Sequence, residues 1–66
     1  IMRIDRIKFI TELAKQELTL SDFSKKIGVN RTTLSNVKSG KSCRDDIAYK
    51  IANGLGVSIK DLIKEN

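Results

Sequence analysis

In the string Thr19-Leu20-Ser21-Asp22-Phe23-Ser24-Lys25-Lys26-Ile27-Gly28-Val29-Asn30-Arg31-Thr32-Thr33-Leu34-Ser35-Asn36-Val37, two short apolar stripes of helical spacing flank a glycine. Thr19 stands in N-cap position with Asp22 three residues on, the spacing of a capping box. Leu20, Phe23 and Ile27 form the stripe of a short helix. Gly28 ends it, because glycine tolerates the left-handed conformation of a residue just past a helix. Asn30 is the next N-cap candidate, and Arg31 to Lys38 is the next helix, with Leu34 and Val37 facing inward. Val29, in the turn, is expected to tuck under both. Helix, tight turn and helix make a helix-turn-helix, whose second helix is the one that enters the major groove of DNA.

Outward from this unit the chain reads as three further helices. About Arg3 to Leu18 places Ile7, Ile10, Leu13 or Ala14, and Leu18 at helical spacing. After the Ser39-Gly40 break, Ser42 with Asp45 suggests a second capping box. Ile47, Ala48, Ile51, Ala52 and Leu55 form the following stripe, closed by Gly56. Ser58 with Asp61 suggests a third box before Ile59, Leu62 and Ile63. The expectation is an all-α domain of five helices, one unit over residues 1–66, with Ile1 ahead of Met2 read as a cloning remnant.

Composition narrows the function. A 66-residue chain has room for one domain. There is no histidine and one cysteine, so neither a zinc-type ligand set nor a disulfide is expected, and no cofactor. The absence of a long apolar run argues against a membrane span, and the lack of a leader-like segment with a lone thiol suggests the cytoplasm, with nucleoid association when DNA is bound. No glycine-rich phosphate loop is present. Asp45 and Asp46 are adjacent, which points them about 100° apart on a helix rather than at one substrate. An enzyme is therefore not expected.

Charge is more informative. The net charge is +5, from thirteen Lys/Arg and eight Asp/Glu. Lys25, Lys26, Arg31, Lys38, Lys41 and Arg44 fall between residues 25 and 44, a stretch with no acid, so the whole excess lies in one segment. Arg3, Arg6 and Lys8 are read as solvated, in preference to touching a phosphate or pairing with Asp5 and Glu12. The polar residues left over on the third helix, Asn30, Arg31, Thr32, Thr33, Ser35 and Asn36, include the types that base readout needs. Arg bonds guanine O6 and N7, Asn bonds adenine N6 and N7, and a Thr methyl meets the thymine methyl. Thr32, Thr33, Ser35 and Asn36 are also mediocre helix formers, which stability alone would not favour. Cys43 is placed in the first turn of the fourth helix, where the dipole lowers a thiol pKa, although an inert thiol is the plainer reading.

The chain resembles the phage repressor and Cro-type helix-turn-helix family, also called the xenobiotic-response-element family. The likeness covers roughly Phe9 to Leu62 and rests on Thr19, Phe23 for the usual Leu, Ile27-Gly28-Val29, Leu34, Gly40-Lys41, and Ala52 followed by Leu55-Gly56-Val57-Ser58 and Leu62. The resemblance implies a lambda-repressor-like fold and a sequence-specific, double-stranded-DNA-binding transcriptional regulator, an operator binder of phage or bacterial origin. It implies base readout by Arg31, Thr32 and Asn36, with Asn30, Thr33 and Ser35 at the edge of that face reaching bases or phosphates. Lys41 and Arg44 match the loop that grips the backbone. Ser35, Lys38, Lys25 and Lys26 complete the expected phosphate contacts. Similar proteins dimerise through the last helix, so Ile59, Leu62 and Ile63 are the expected homodimer surface on a two-fold operator, the competing reading being that Leu62 and Ile63 cap the core beneath the first and fourth helices. With one domain, no small-molecule effector is expected.

The departures from the family pattern are specific. Leu20 replaces the Gln that opens the second helix, so its phosphate contact is either lost or taken over by the backbone N–H groups at the helix start. Ser24 replaces a small Ala, tolerably if its hydroxyl bonds back to the helix. Leu13 and Lys38 stand where the family pairs an Arg with a Glu, so both partners have changed together and no buried charge is orphaned. The competing function class is a protein-interaction module on the same fold, such as an antitoxin or a partner-binding regulator; the aligned basic segment argues against it.

Overall fold

The computed structural model describes residues 1–63. Five helices follow in order: α1 (Arg6–Lys15), α2 (Leu20–Ile27), α3 (Arg31–Lys38), α4 (Asp45–Leu55) and α5 (Ile59–Leu62). α2 packs on α3 and α4, α1 on α3, and α4 on α5. The most deeply buried side chains are Phe9, Phe23, Ile4, Leu34, Ile51, Leu62 and Val37. Phe9 and Phe23 meet edge to face with ring centroids 6.0 Å apart, joining α1 to α2. Among the described residues no polar or charged residue is buried.

α1 is shorter than the expected Arg3–Leu18 span at both ends. Met2 and Ile4 are extended and bridge antiparallel to Cys43 and Ile63. Met2 and Cys43 exchange both backbone hydrogen bonds, at 2.9 and 2.8 Å, and the Asp5 N–H donates to the Leu62 carbonyl at 2.8 Å. This pairing satisfies backbone groups and drives Ile4 into the core. Asp5 then caps the helix, its carboxylate accepting from the Ile7 and Lys8 N–H groups at 3.0 and 3.3 Å. The inward stripe is Phe9 and Leu13. Ile7, expected inside, is 59% exposed, because a helix that buries the larger Phe9 turns Ile7 to the opposite side. At the other end Glu17 takes a left-handed φ of 55° and the Leu18 N–H donates to the Leu13 carbonyl, closing the helix without a glycine.

The capping expectations divide. Thr19 and Asp22 form a complete, reciprocal box. Ser58 accepts from the Asp61 N–H. Ser42 caps nothing: α4 begins at Asp45 with Arg44 at the N-cap and no side-chain cap bond, because Cys43 is held in the bridge to Met2. Cys43 therefore precedes α4 rather than lying in its first turn. Burial and the neighbouring Asp45 carboxylate push its thiol pKa up, the opposite of the activation expected from a dipole.

Candidate nucleic-acid interface

The unit from Thr19 to Lys38 is built as its sequence requires. Gly28 ends α2 at φ 69°, a conformation costly for any residue with a Cβ. Val29 is buried beneath the turn, and the Ser24 hydroxyl donates to its carbonyl. Ser24 therefore braces the turn instead of bonding back into its own helix. The Asn30 side chain accepts from the Thr32 N–H at 2.7 Å and fixes the start of α3. Phe23, Leu34 and Val37 are buried between the helices, with Leu20 and Ile27 packed at the margin.

With those side chains turned inward, α3 presents Arg31, Thr32, Ser35 and Asn36 to solvent. At about 100° per residue these four lie on one face, with Ser35 near its middle. Thr33 is half-buried and Lys38 is exposed, each flanking that face. Asn30 is exposed at its N-terminal end, with its side-chain oxygen engaged by the cap.

The turn after α3 is tied to the last carbonyls of the helix. Gly40 N–H donates to the Val37 carbonyl and Lys41 N–H to the Asn36 carbonyl, both at 3.0 Å. Lys41 is thereby held in fixed relation to α3. Arg44 is exposed, and its Nε lies 3.5 Å from the Asp46 carboxylate, which offsets part of its charge. Lys25 and Lys26 are both exposed but diverge: Lys26 lines a shallow recess with Ile27, Lys50, Asn53 and Gly54, on the α4 side.

Leu13 is buried and Lys38 exposed, so the paired replacement leaves no charge in the core. Lys38 and Arg31 border an apolar groove floored by Ile10, Leu13, Leu18 and Leu20. Leu20 thus lines the groove where the family carries Gln.

The expected dimer surface changes. Leu62 is fully buried, so it belongs to the chain's own core and offers nothing to a partner. Ile59 packs partly against that core, and Ile63 bridges to Ile4. The core therefore uses more of the last helix than chain length suggests, because the extended N-terminal segment packs beside it. Two structural contributors had gone unassigned. Gly54 meets α2 so closely that a Cβ there would collide with Ile27 and approach the Phe23 ring at 3.0 Å. Gln16 donates to the Leu55 carbonyl at 2.9 Å, joining the ends of α1 and α4. Neither has a local sequence signal, since both depend on contacts between distant segments.

Among the described residues no group of three or more His, Cys, Asp or Glu is arranged to hold a metal ion. No described helix is long and apolar enough to cross a membrane.

Comparison with known proteins places this geometry. The helix-turn-helix family model matches residues 11–62. An uncharacterized HTH-type transcriptional regulator of Methanocaldococcus jannaschii is 40% identical over 50 residues, which cover 74% of this chain and 76% of the relative.

Proposed function

The chain belongs to the Cro/C1-type helix-turn-helix family of DNA-binding transcriptional regulators, and from that premise we propose that it is a sequence-specific operator binder that reads the major groove with α3. The observation that carries this reading is the face of Arg31, Thr32, Ser35 and Asn36: polar, without an acid, and exposed on a helix held by a buried apolar pair. Arg31, Thr32 and Asn36 contact base edges, joined by Ser35 from mid-face. Asn30 and Thr33 contribute at the margins. Lys25, Lys38, Lys41 and Arg44 hold phosphates, and Lys26 adds to long-range attraction.

Two protomers bind a two-fold site, meeting through the uncovered parts of Ile59 and Ile63. Occupancy of the operator is itself the regulatory act, by excluding polymerase or a competing regulator. Competition tests the groove assignment. A major-groove ligand such as methyl green displaces the protein from duplex DNA, and a minor-groove ligand such as distamycin does not; the reverse pattern contradicts the proposal.

A further inference from the structure

The cationic surface that follows α3 does not stop at residues 25–44. The Arg6 side chain lies against the α3–α4 turn: its Cδ is 3.5 Å from where a Cβ on Gly40 would stand. Gly40 immediately precedes Lys41, so the Arg6 stem packs on backbone one residue from a proposed phosphate contact. Arg3 lies on the same side. It projects outward between the inward-facing Met2 and Ile4, and with Arg6 and Gly40 it lines a recess of about 290 Å³.

The other early bases are already engaged. Lys8 and Lys15 both reach the Glu12 carboxylate, at 3.4 Å each. Desolvation pushes the Glu12 acid up, but the hydrogen bond and charge of Lys15 and the charge of Lys8 outweigh it and leave the carboxyl below its ordinary range. Arg3 and Arg6 make no ion pair among the described residues and are exposed. Asp5, the acid on this recess, has its Oδ1 turned to the Ile7 and Lys8 N–H groups at the start of α1.

We propose that Arg3 and Arg6 form a second phosphate site, which takes a DNA phosphodiester beyond the one held by Lys41. The inference rests on the DNA-binding reading above. Guanidinium suits this role because its fork donates two parallel bonds to phosphate oxygens. The Met2–Cys43 backbone pair fixes the segment that carries Arg3 to the start of α4, so the site is placed by the fold.

The test is the salt dependence of duplex binding by the full chain between 50 and 200 mM salt. Each phosphate contact contributes about 0.9 to the slope of log affinity on log salt. The double variant Arg3→Gln/Arg6→Gln is expected to lower the slope by about 1.8, so that its affinity falls about tenfold less than wild type across that range. Arg3→Lys/Arg6→Lys restores most of the slope, and Lys15→Gln/Lys60→Gln, an equal loss of charge elsewhere, changes it much less. Thermal unfolding of each variant confirms that the comparison is between folded proteins. A double variant whose slope matches that of Lys15→Gln/Lys60→Gln overturns the proposal while leaving DNA binding intact. A wild-type chain with no salt-dependent binding to duplex DNA overturns the DNA reading itself.

Discussion

Arg31 and Lys41 are both exposed cations a short distance apart in sequence, yet their loss should read differently. A guanidinium on a base edge discriminates, whereas an ammonium on a phosphate attracts every sequence alike. Arg31→Ala is expected to cost about 1–3 kcal/mol against the preferred site and to relax selection at one base pair. Lys41→Gln should weaken all sequences to a similar degree and reduce the salt slope by about 0.9. Binding titrations on the preferred site and single-base variants separate the two. Cys43 carries a prediction of another kind. With its thiol pKa raised, the folded state favours the neutral form. Alkylation of the native protein at mildly alkaline pH should be slower than that of a small free thiol. The stability from this shift is fully present below the ordinary thiol pKa and is lost as pH rises through the folded value. Rapid native-state alkylation would contradict the burial. The exposure of Arg31, Thr32 and Asn36 on one face of α3 was legible because Leu34 and Val37 fix which side of the helix turns inward. The place of Ser35 at mid-face and Thr33 at the margin follows from helical angle, not residue type.

Between elements, the geometry of α2, its turn and α3 depends on two glycines for different reasons. Gly28 needs its positive φ, although nothing lies within 4 Å of a Cβ built there. Gly28→Ala should cost about 1–2 kcal/mol through backbone strain alone. Gly54 has no such φ, but a Cβ would push into Ile27 and Phe23 and force α2 from α4. Gly54→Ala should cost about 1–3 kcal/mol by overpacking, and should weaken DNA binding too, because α2 carries the turn that aims α3. Conversely, Glu17→Gly should stabilise the protein by about 1 kcal/mol, since a glycine relieves the left-handed strain at the end of α1. Denaturant melts of the three variants check the signs. The boundaries of α2 and α3 were legible because Thr19, Gly28 and Asn30 state them locally. Gly56 likewise marked the end of α4, but the start of α4 and both ends of α1 were not legible. Ile4 and Cys43 follow the N-terminal pairing instead of the helical pattern, and Ser42 loses its cap to the same pairing.

For the whole molecule, charge and size act together. The excess of positive charge lies in residues 25–44, which run from the second half of α2 through α3 to the residue before α4, in a body measuring 29 × 21 × 19 Å. Two such bodies side by side can set their α3 helices about 34–36 Å apart, one turn of DNA. The segment that concentrates the charge was legible from residues 25 to 44, but the arrival of Arg6 at Gly40 was not, because it joins positions far apart in the chain. Sequence left the place of Leu62 open between core and partner surface, and its burial settles it for the core. The central claim is that α3 reads sequence from the major groove as one half of a two-fold complex. Selection from a random duplex pool at near-physiological salt, followed by sequencing, addresses it directly. The account predicts enrichment of an inverted repeat with half-site centres about 10 base pairs apart, lost as a defined sequence in Arg31→Ala. A pool that remains random with folded wild-type protein would contradict it, and would assign the α3 face to a protein partner instead.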